Sequence, residues 1–491
     1  MTTVSASSSR ASLDGNVTST LIDFASGTQS KVVPIEVLEQ ARRVVYDTVT
    51  CMIAASSNPA AAMCDEVIGS FGGNPESRLI PSGSFAPFPA AAFANANRAK
   101  LLDFDENLLY HSHMANVVVA SALAAGEARG RTVDEVMHAV VIGFEVAARV
   151  SLSVRVPKLD NRGAILFPYW STYSYNTLGG SVAVSLLLDL TAEQMGHAFG
   201  ISAVGAPLPT LSRAATAPYW PTLKYGSYGV QGFVSCMSAL LAERGVTGDP
   251  AILDGHDSFW RLCGAPADEY DPSAITDGLG DRWWITETSF KLEPAGTWHR
   301  PAIHSVRLAR AGMALDPASI ERIELYTRAL VSDNMQNIDP QSSMDTQASY
   351  PYLLAVEACG IPLAQWSQEG VFENPEIQRL VKNVTIHDYP EADIELRKDL
   401  ESPPYRARGV KARAEIVMKD GRVLEGMSKY GDGDPFDDGT RVTFEKLDVK
   451  FDAFAAPLLG VGAREELRGI LSQGARPVSD LVRAFCARAS E

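Results

Sequence analysis

Three stretches of this chain offer almost no polar face to water. Val117–Gly126 reads VVVASALAAG, Ser181–Leu188 reads SVAVSLLL, and Gly229–Leu241 reads GVQGFVSCMSALL. A helix that is apolar around its whole circumference has to be buried on every side. Such segments therefore demand several neighbouring helices, and their Gly and Ala content suits close helix packing. Only a large, mainly helical core meets that demand, and 491 residues are enough to build one.

Local signals place further helices around these runs. Pro34 suits the first turn of a helix whose apolar positions Ile35, Leu38, Val45, Val49 and Met52 recur at helical spacing. Thr132 with Glu135, and Thr191 with Gln194, have the spacing of capping boxes. Near Trp283 the texture changes. Ile320–Leu325 and Val381–Ile386 read as short strands. Ala414–Met418 and Arg422–Met427 flank Asp420-Gly421, a pair that favours a tight hairpin. Helices are expected between them at Pro301–Ala311 and Tyr350–Ala358. After Gly439 helical patterning returns at Val442–Phe454, Arg464–Leu471 and Ser479–Arg488. The expected fold is mainly α, a large all-helical domain interrupted by a smaller α+β lid domain. Its predicted parts are a flexible N-terminal tail (1–30), the helical domain (31–285), the lid (286–440) and C-terminal helices (441–491) returning to the helical domain.

Charge and composition exclude some functions. A net charge of -16 argues against binding a nucleic-acid backbone. No apolar run is long enough to span a bilayer. The Ser-rich start lacks the apolar segment of a secretion signal. The six scattered cysteines form no CxxC pair and read as buried thiols of a cytoplasmic protein. No internal repeat is evident.

The chemistry-bearing residues gather in few places. Leu101–Glu127 packs Asp103, Asp105 and Glu106 into four positions, with His111 and His113 just before the first apolar run. Carboxylates and imidazoles suit proton transfer near neutral pH. Asp103, Asn107 and His113, on a loop feeding a helix, could converge on one cavity. The free N–H groups of that helix would favour an anion there. A solvated loop with a locally satisfied His is the plain alternative. Asp-x-Asp and His-x-His also suit metal ligation, but no Asp-His pair follows His113, and no metal is expected. Lys224, in WPTLKYGSYG, could hold a carboxylate or donate a proton, or serve only as a surface charge. FKLEPAGTWHRP, at the expected domain junction, offers Lys291 and Arg300 for carboxylate binding and His299 as a proton carrier. Tyr352, in QASYPY, could donate to an oxyanion or simply pack.

Together these motifs resemble the MmgE/PrpD family, whose members include 2-methylcitrate dehydratase, cis-aconitate decarboxylase and iminodisuccinate epimerase. LLDFDENLLYHSHMANVVVASALAAGEARG, MHAVVIGFEVAARV, LLLDLTAEQMGHAFGIS, AERGVTGDPAILDG, SFKLEPAGTWHRPAIHS and TQASYPYLLAVEACG carry the resemblance from about Pro34 onward. It implies a helical domain with an α+β lid, a homodimer, and chemistry without cofactor. It also implies active-site roles for Asp103, His113, Lys224 and Tyr352, with Asn107 where family decarboxylases have Thr. The chain departs from the pattern elsewhere. Trp170, beside Thr172, stands where the family has a second His. Arg300 stands where it has a third, with His299 one place earlier. Gly296 replaces a frequent Cys, and His113-Met114 replaces His-Pro.

The expected activity is therefore cofactor-free proton transfer next to an acidifying group of a small carboxylate, with loss of water first. In that reading His113 carries the proton and Asp103 orients it. Lys224 and Arg300 neutralise carboxylate charge, and Tyr352 and His299 serve the departing group. Trp170 would favour a larger or more apolar substrate arm. An isomerase or epimerase, a decarboxylase, and a non-catalytic binding protein are the alternatives.

Overall fold

The computed structural model describes residues 16–28, 33–159, 165–166, 170, 173–207, 221–224, 226–328 and 333–486. Thr172 lies outside them. The first half is helical, with long helices at Ile35–Ala54, Phe88–Lys100, Ala115–Ala128, Val133–Leu152, Tyr175–Leu187, Ala192–Gly205 and Tyr228–Glu243. Among the described residues no helix is long and apolar enough to cross a membrane.

Small residues decide how these helices meet. A Cβ on Gly143 would lie 2.7 Å from the Gly179 carbonyl oxygen and 2.8 Å from the Ala183 methyl. Val133–Leu152 and Tyr175–Leu187 therefore cross with their backbones in contact. Gly229 opens a similar approach, its N–H donating to Asn97 Oδ1 at 2.9 Å. Both capping boxes form. The Glu135 N–H donates to Thr132 Oγ1 at 3.3 Å while the Thr132 N–H donates to Glu135 Oε2 at 2.7 Å. Gln194 and Thr191 repeat the exchange.

The second unit is built on a four-stranded sheet with the order Val423–Ser428, Ala412–Met418, Ile320–Thr327, Val384–Asp388. Only the pairing of Ile320–Thr327 with Val384–Asp388 is parallel. Asp420-Gly421 makes the expected turn, with Gly421 at φ 87°, a conformation glycine adopts without strain. Arg300–Ala309 lies across the hairpin, where Ser305 Oγ donates to the Ala412 carbonyl at 2.9 Å. One core gathers residues from Leu21 to Leu292 and again from Val442 to Phe485. A separate core runs from Ala295 to Met418. The architecture is mainly helical with two domains, the second carrying the mixed sheet.

Two expectations need correction. The segment read as a flexible tail contains a helix, Val17–Gly27, with Leu21, Ile22, Phe24 and Ala25 buried. Its N-terminus is held by Asp254, which accepts the Val17 N–H at 2.7 Å and the Thr18 hydroxyl at 2.5 Å. A cap supplied from 236 residues away leaves no local signature. Arg300, expected to meet a substrate carboxylate, is fully buried instead. Its Nη1 donates to Asp434 Oδ1 at 2.5 Å, and its Nη2 to the carbonyls of Phe290 (2.8 Å) and Asp432 (2.6 Å). The other Asp434 oxygen accepts the Tyr110 hydroxyl at 2.7 Å. Arg300 thus ties the chain's outward crossing between the cores to its return.

Arg300→Met should cost about 3–5 kcal/mol of stability, because it strands the Asp434 charge in the interior. The urea midpoint measures this. A substrate-contact role would instead leave the midpoint in place and raise KM.

Candidate active site

The site starts where the helix Phe88–Lys100 ends. Lys100 is in its last turn, and Asp103 takes a left-handed φ of 53° that swings the chain back over the helix end. Asn107 and Leu108 then pair antiparallel with Ser289 and Thr288, bringing Lys291 beside the loop. Asn107 Oδ1 accepts the Tyr110 N–H at 2.8 Å, and its amide approaches the Ser112 carbonyl at 3.4 Å. Asn107 therefore braces the loop with both ends of its amide. From behind, Lys450 donates to the Phe104 carbonyl and to Asp47 Oδ1, each at 2.6 Å.

Three ammonium groups surround two aspartates. Lys100 Nζ lies 2.9 Å from Asp103 Oδ1 and 3.0 Å from Asp105 Oδ1. Lys291 Nζ lies 2.9 Å from Asp103 Oδ1 and also donates to the Asp103 carbonyl at 2.5 Å. Lys224 Nζ lies 3.6 Å from Asp103 Oδ2 and donates to Gln347 Oε1. Burial pushes the Asp103 carboxyl up, but Lys100, Lys224 and Lys291 together outweigh it and hold the group well below its ordinary value. Asp105 is likewise held down against burial by Lys100, His113 and Lys291. Burial lowers Lys224 to about 8, with Asp103 opposing and the other lysines adding to the fall.

His113 is fixed through one nitrogen. Its Nδ1 faces the Glu106 carbonyl at 2.6 Å and Asp105 Oδ2 at 3.2 Å. A carbonyl can only accept, so Nδ1 carries the proton, and Nε2 presents a lone pair that makes no hydrogen bond among the described residues. Burial and Lys100 lower the imidazole's pKa, against the pull of Asp105. The orienting carboxylate is thus Asp105, not Asp103 as expected. Asn116 fixes Asp105 in turn, its Nδ2 lying 3.0 Å from Oδ2.

The N–H groups expected to attract an external anion are already taken. Glu106 Oε1 accepts from Met114 at 2.6 Å and Ala115 at 2.8 Å, at the start of Ala115–Ala128. Burial, then the Asp105 charge, pushes Glu106 up to about 8, so it is neutral at pH 7. Asp105, Glu106 and His113 bring potential ligand atoms within 4.8 Å of one another. Lys100, Asn116 and the helix N–H groups already use most of those atoms. Ammonium groups therefore stand where a metal ion would supply charge.

Other expected residues fall elsewhere. The Tyr352 hydroxyl donates to the Trp366 carbonyl at 2.6 Å, inside the second core. Tyr352 is therefore a packing residue here. His299 sits closer, but its Nε2 and Nδ1 face the Ala348 (2.8 Å) and Gly296 (3.1 Å) carbonyls. Burial lowers it to about 4, so the neutral ring has one N–H, which donates to one of these carbonyls while the other nitrogen faces the second. Trp170 is buried edge-on against Trp260, centroids 5.7 Å apart, in the helical core. All six cysteines are free and buried. Sequence reading passed over Lys100, Asn116 and Gln347 as site residues. Lys100 did leave a signal, a lysine closing an alanine-rich helix three residues before Asp103.

The MmgE/PrpD N-terminal domain model matches residues 19–269, and the MmgE/PrpD C-terminal domain model matches residues 294–473. A cis-aconitate decarboxylase of Aspergillus terreus is 26% identical over 403 residues, covering 77% of this chain and 79% of that protein. A cis-aconitate decarboxylase-like protein, oryM, of Aspergillus oryzae is 24% identical over 297 residues, 57% of this chain and 58% of its own. The two models of one family together match most of the chain, and on that ground the protein belongs to the MmgE/PrpD family.

Proposed function

We propose that the protein is a lyase that moves a proton next to a carboxylate of a small substrate, using its own side chains. The observation that carries this reading is His113, tethered through Nδ1 with a free Nε2 beside a lysine-rich pair of ionised aspartates. With Asp103 and Asp105 charged and Glu106 neutral, the three lysines leave the cluster one positive charge in excess. That excess favours a substrate carboxylate, and more so as negative charge grows in an enolate-like state.

For dehydration, His113 Nε2 takes the proton from the carbon next to the carboxylate. The C–H electron pair becomes the new double bond as the C–O bond breaks. The hydroxyl leaves as water with a proton from the Lys224 ammonium, whose pKa of about 8 suits that role. Lys291 and Lys100 keep both aspartates ionised, and Asp105 steadies the imidazolium that forms. Decarboxylation is the second reading, favoured by the names of the fungal relatives. There a carboxylate leaves as carbon dioxide, the electron pair of the broken C–C bond stays on carbon, and the Lys224 ammonium protonates that carbon. Family resemblance further supports a homodimer.

Incubation with a panel of di- and tricarboxylates, read by mass spectrometry, separates the readings: a product lighter by water supports dehydration, and one lighter by carbon dioxide supports decarboxylation. His113→Gln should lower kcat by about 10²–10⁴-fold. Normal turnover in that variant would refute the assignment.

The pH profile follows from the same groups. His113 works as a base when neutral. Its lowered pKa keeps it neutral at pH 7, and activity falls only as pH drops below its ordinary value of 6.5. Lys224 works as an acid when protonated, so activity should also fall as pH rises through about 8. In Lys224→Met the residual activity should lose the alkaline limb and keep the acid one.

A further inference from the structure

Two buried groups that the proposed reaction does not use lie near one another: the charges of Arg406 and of His113 both act on His111. His111 is buried, with only 3% of its surface exposed, and neither ring nitrogen has a hydrogen-bond partner. An imidazole always carries at least one N–H, so a donor sits in the interior with nothing to accept it. Arg406, from the second domain, is fully buried. Its Nη2 donates to the carbonyls of Ser151 (2.8 Å) and Val154 (2.7 Å), its Nη1 to the Tyr405 carbonyl (3.1 Å), and its Nε has no partner. Every acceptor is a carbonyl, and no carboxylate among the described residues pairs with it.

A buried guanidinium without a counter-ion is rare, because its desolvation needs an anion in return. Ser151 and Val154 close the helix Val133–Leu152, whose C-terminal dipole offers only about half a negative charge. No carboxylate among the described residues supplies the rest.

The two groups and His113 share a frame. Ser151 Oγ lies 2.6 Å from Ser112 Oγ, and Ser112 is the residue between the two histidines. The Tyr173 ring lies 5.4 Å from the His111 ring and 6.5 Å from the His113 ring. The Tyr173 hydroxyl fixes this arrangement by donating to the His111 carbonyl at 3.2 Å.

We propose that His111 and Arg406 form a second carboxylate subsite beside Tyr173. The His111 N–H and Arg406 Nε–H would hold one carboxylate while the lysines hold the other, leaving the reacting carbon opposite His113 Nε2. This rests on the carboxylate reading of the site and adds the residues that recognise the second acid group.

Calorimetric titration of the full-length protein with succinate and with butyrate tests it, since both are four-carbon acids and only one has a second carboxylate. His111→Leu is the informative variant, because the ring makes no hydrogen bond whose loss would unfold the chain. Wild-type protein should prefer succinate by about tenfold or more, the worth of a hydrogen bond to a charged group. His111→Leu should erase that preference and leave butyrate binding within twofold. An unchanged preference in His111→Leu, equal weakening of both acids, or equal wild-type binding of both overturns the subsite while the lysine cluster stands. If wild-type protein binds neither acid, the carboxylate reading falls, and the subsite with it.

Discussion

One fully and one largely buried aspartate sit at the end of one helix only because three ammonium groups are buried with them. Taking a carboxylate out of water costs several kcal/mol, and only close, well-aligned opposite charge returns it. Lys100 comes from the helix that precedes the aspartates, Lys291 from the crossing between domains, and Lys224 from the approach to the helix Tyr228–Glu243. Each must arrive for the others to be tolerated. Burying Asp103 and Asp105 therefore also fixes the relative placement of three distant chain segments.

The same cluster explains how one loop can hold a base and a neutral acid side by side. Asp105 is ionised because Lys100, His113 and Lys291 face it, whereas Glu106, one residue on, meets helix N–H groups and the Asp105 charge. His113 is held neutral by burial and by Lys100. Neighbouring residues thus differ in protonation through what lies opposite each, the usual way a site obtains acid and base from similar groups. Arg300, Asp434 and Tyr110 add a mechanical link, tying this loop to both passages of the chain between the cores.

Much of the scaffold could be read locally. The capping boxes at Thr132 and Thr191 and the Asp420-Gly421 hairpin form from residues a few positions apart, and each appears as expected. The helix Tyr350–Ala358 has the bounds its sequence suggests. The helix Val17–Gly27 carries no such local mark, because its cap is the distant Asp254. Within the site, His113, Lys224, Asp103 and Lys291 were recognisable as chemistry-bearing residues, and the fold brings them together. Arg300 and Tyr352 look equally suited on paper, yet one is spent on Asp434 and the other on a carbonyl of its own core.

The sequence by itself determined a layered helical core, since helices without a polar face have to be enclosed. It also determined the α+β insertion, since turn chemistry and strand alternation are local. It could not decide which carboxylate orients His113, or that Lys100 rather than Arg300 faces the aspartates. Those outcomes depend on a few ångströms between segments far apart in the chain. Electrostatic energy in a buried site depends steeply on such distances, so only the tertiary structure could assign the partners.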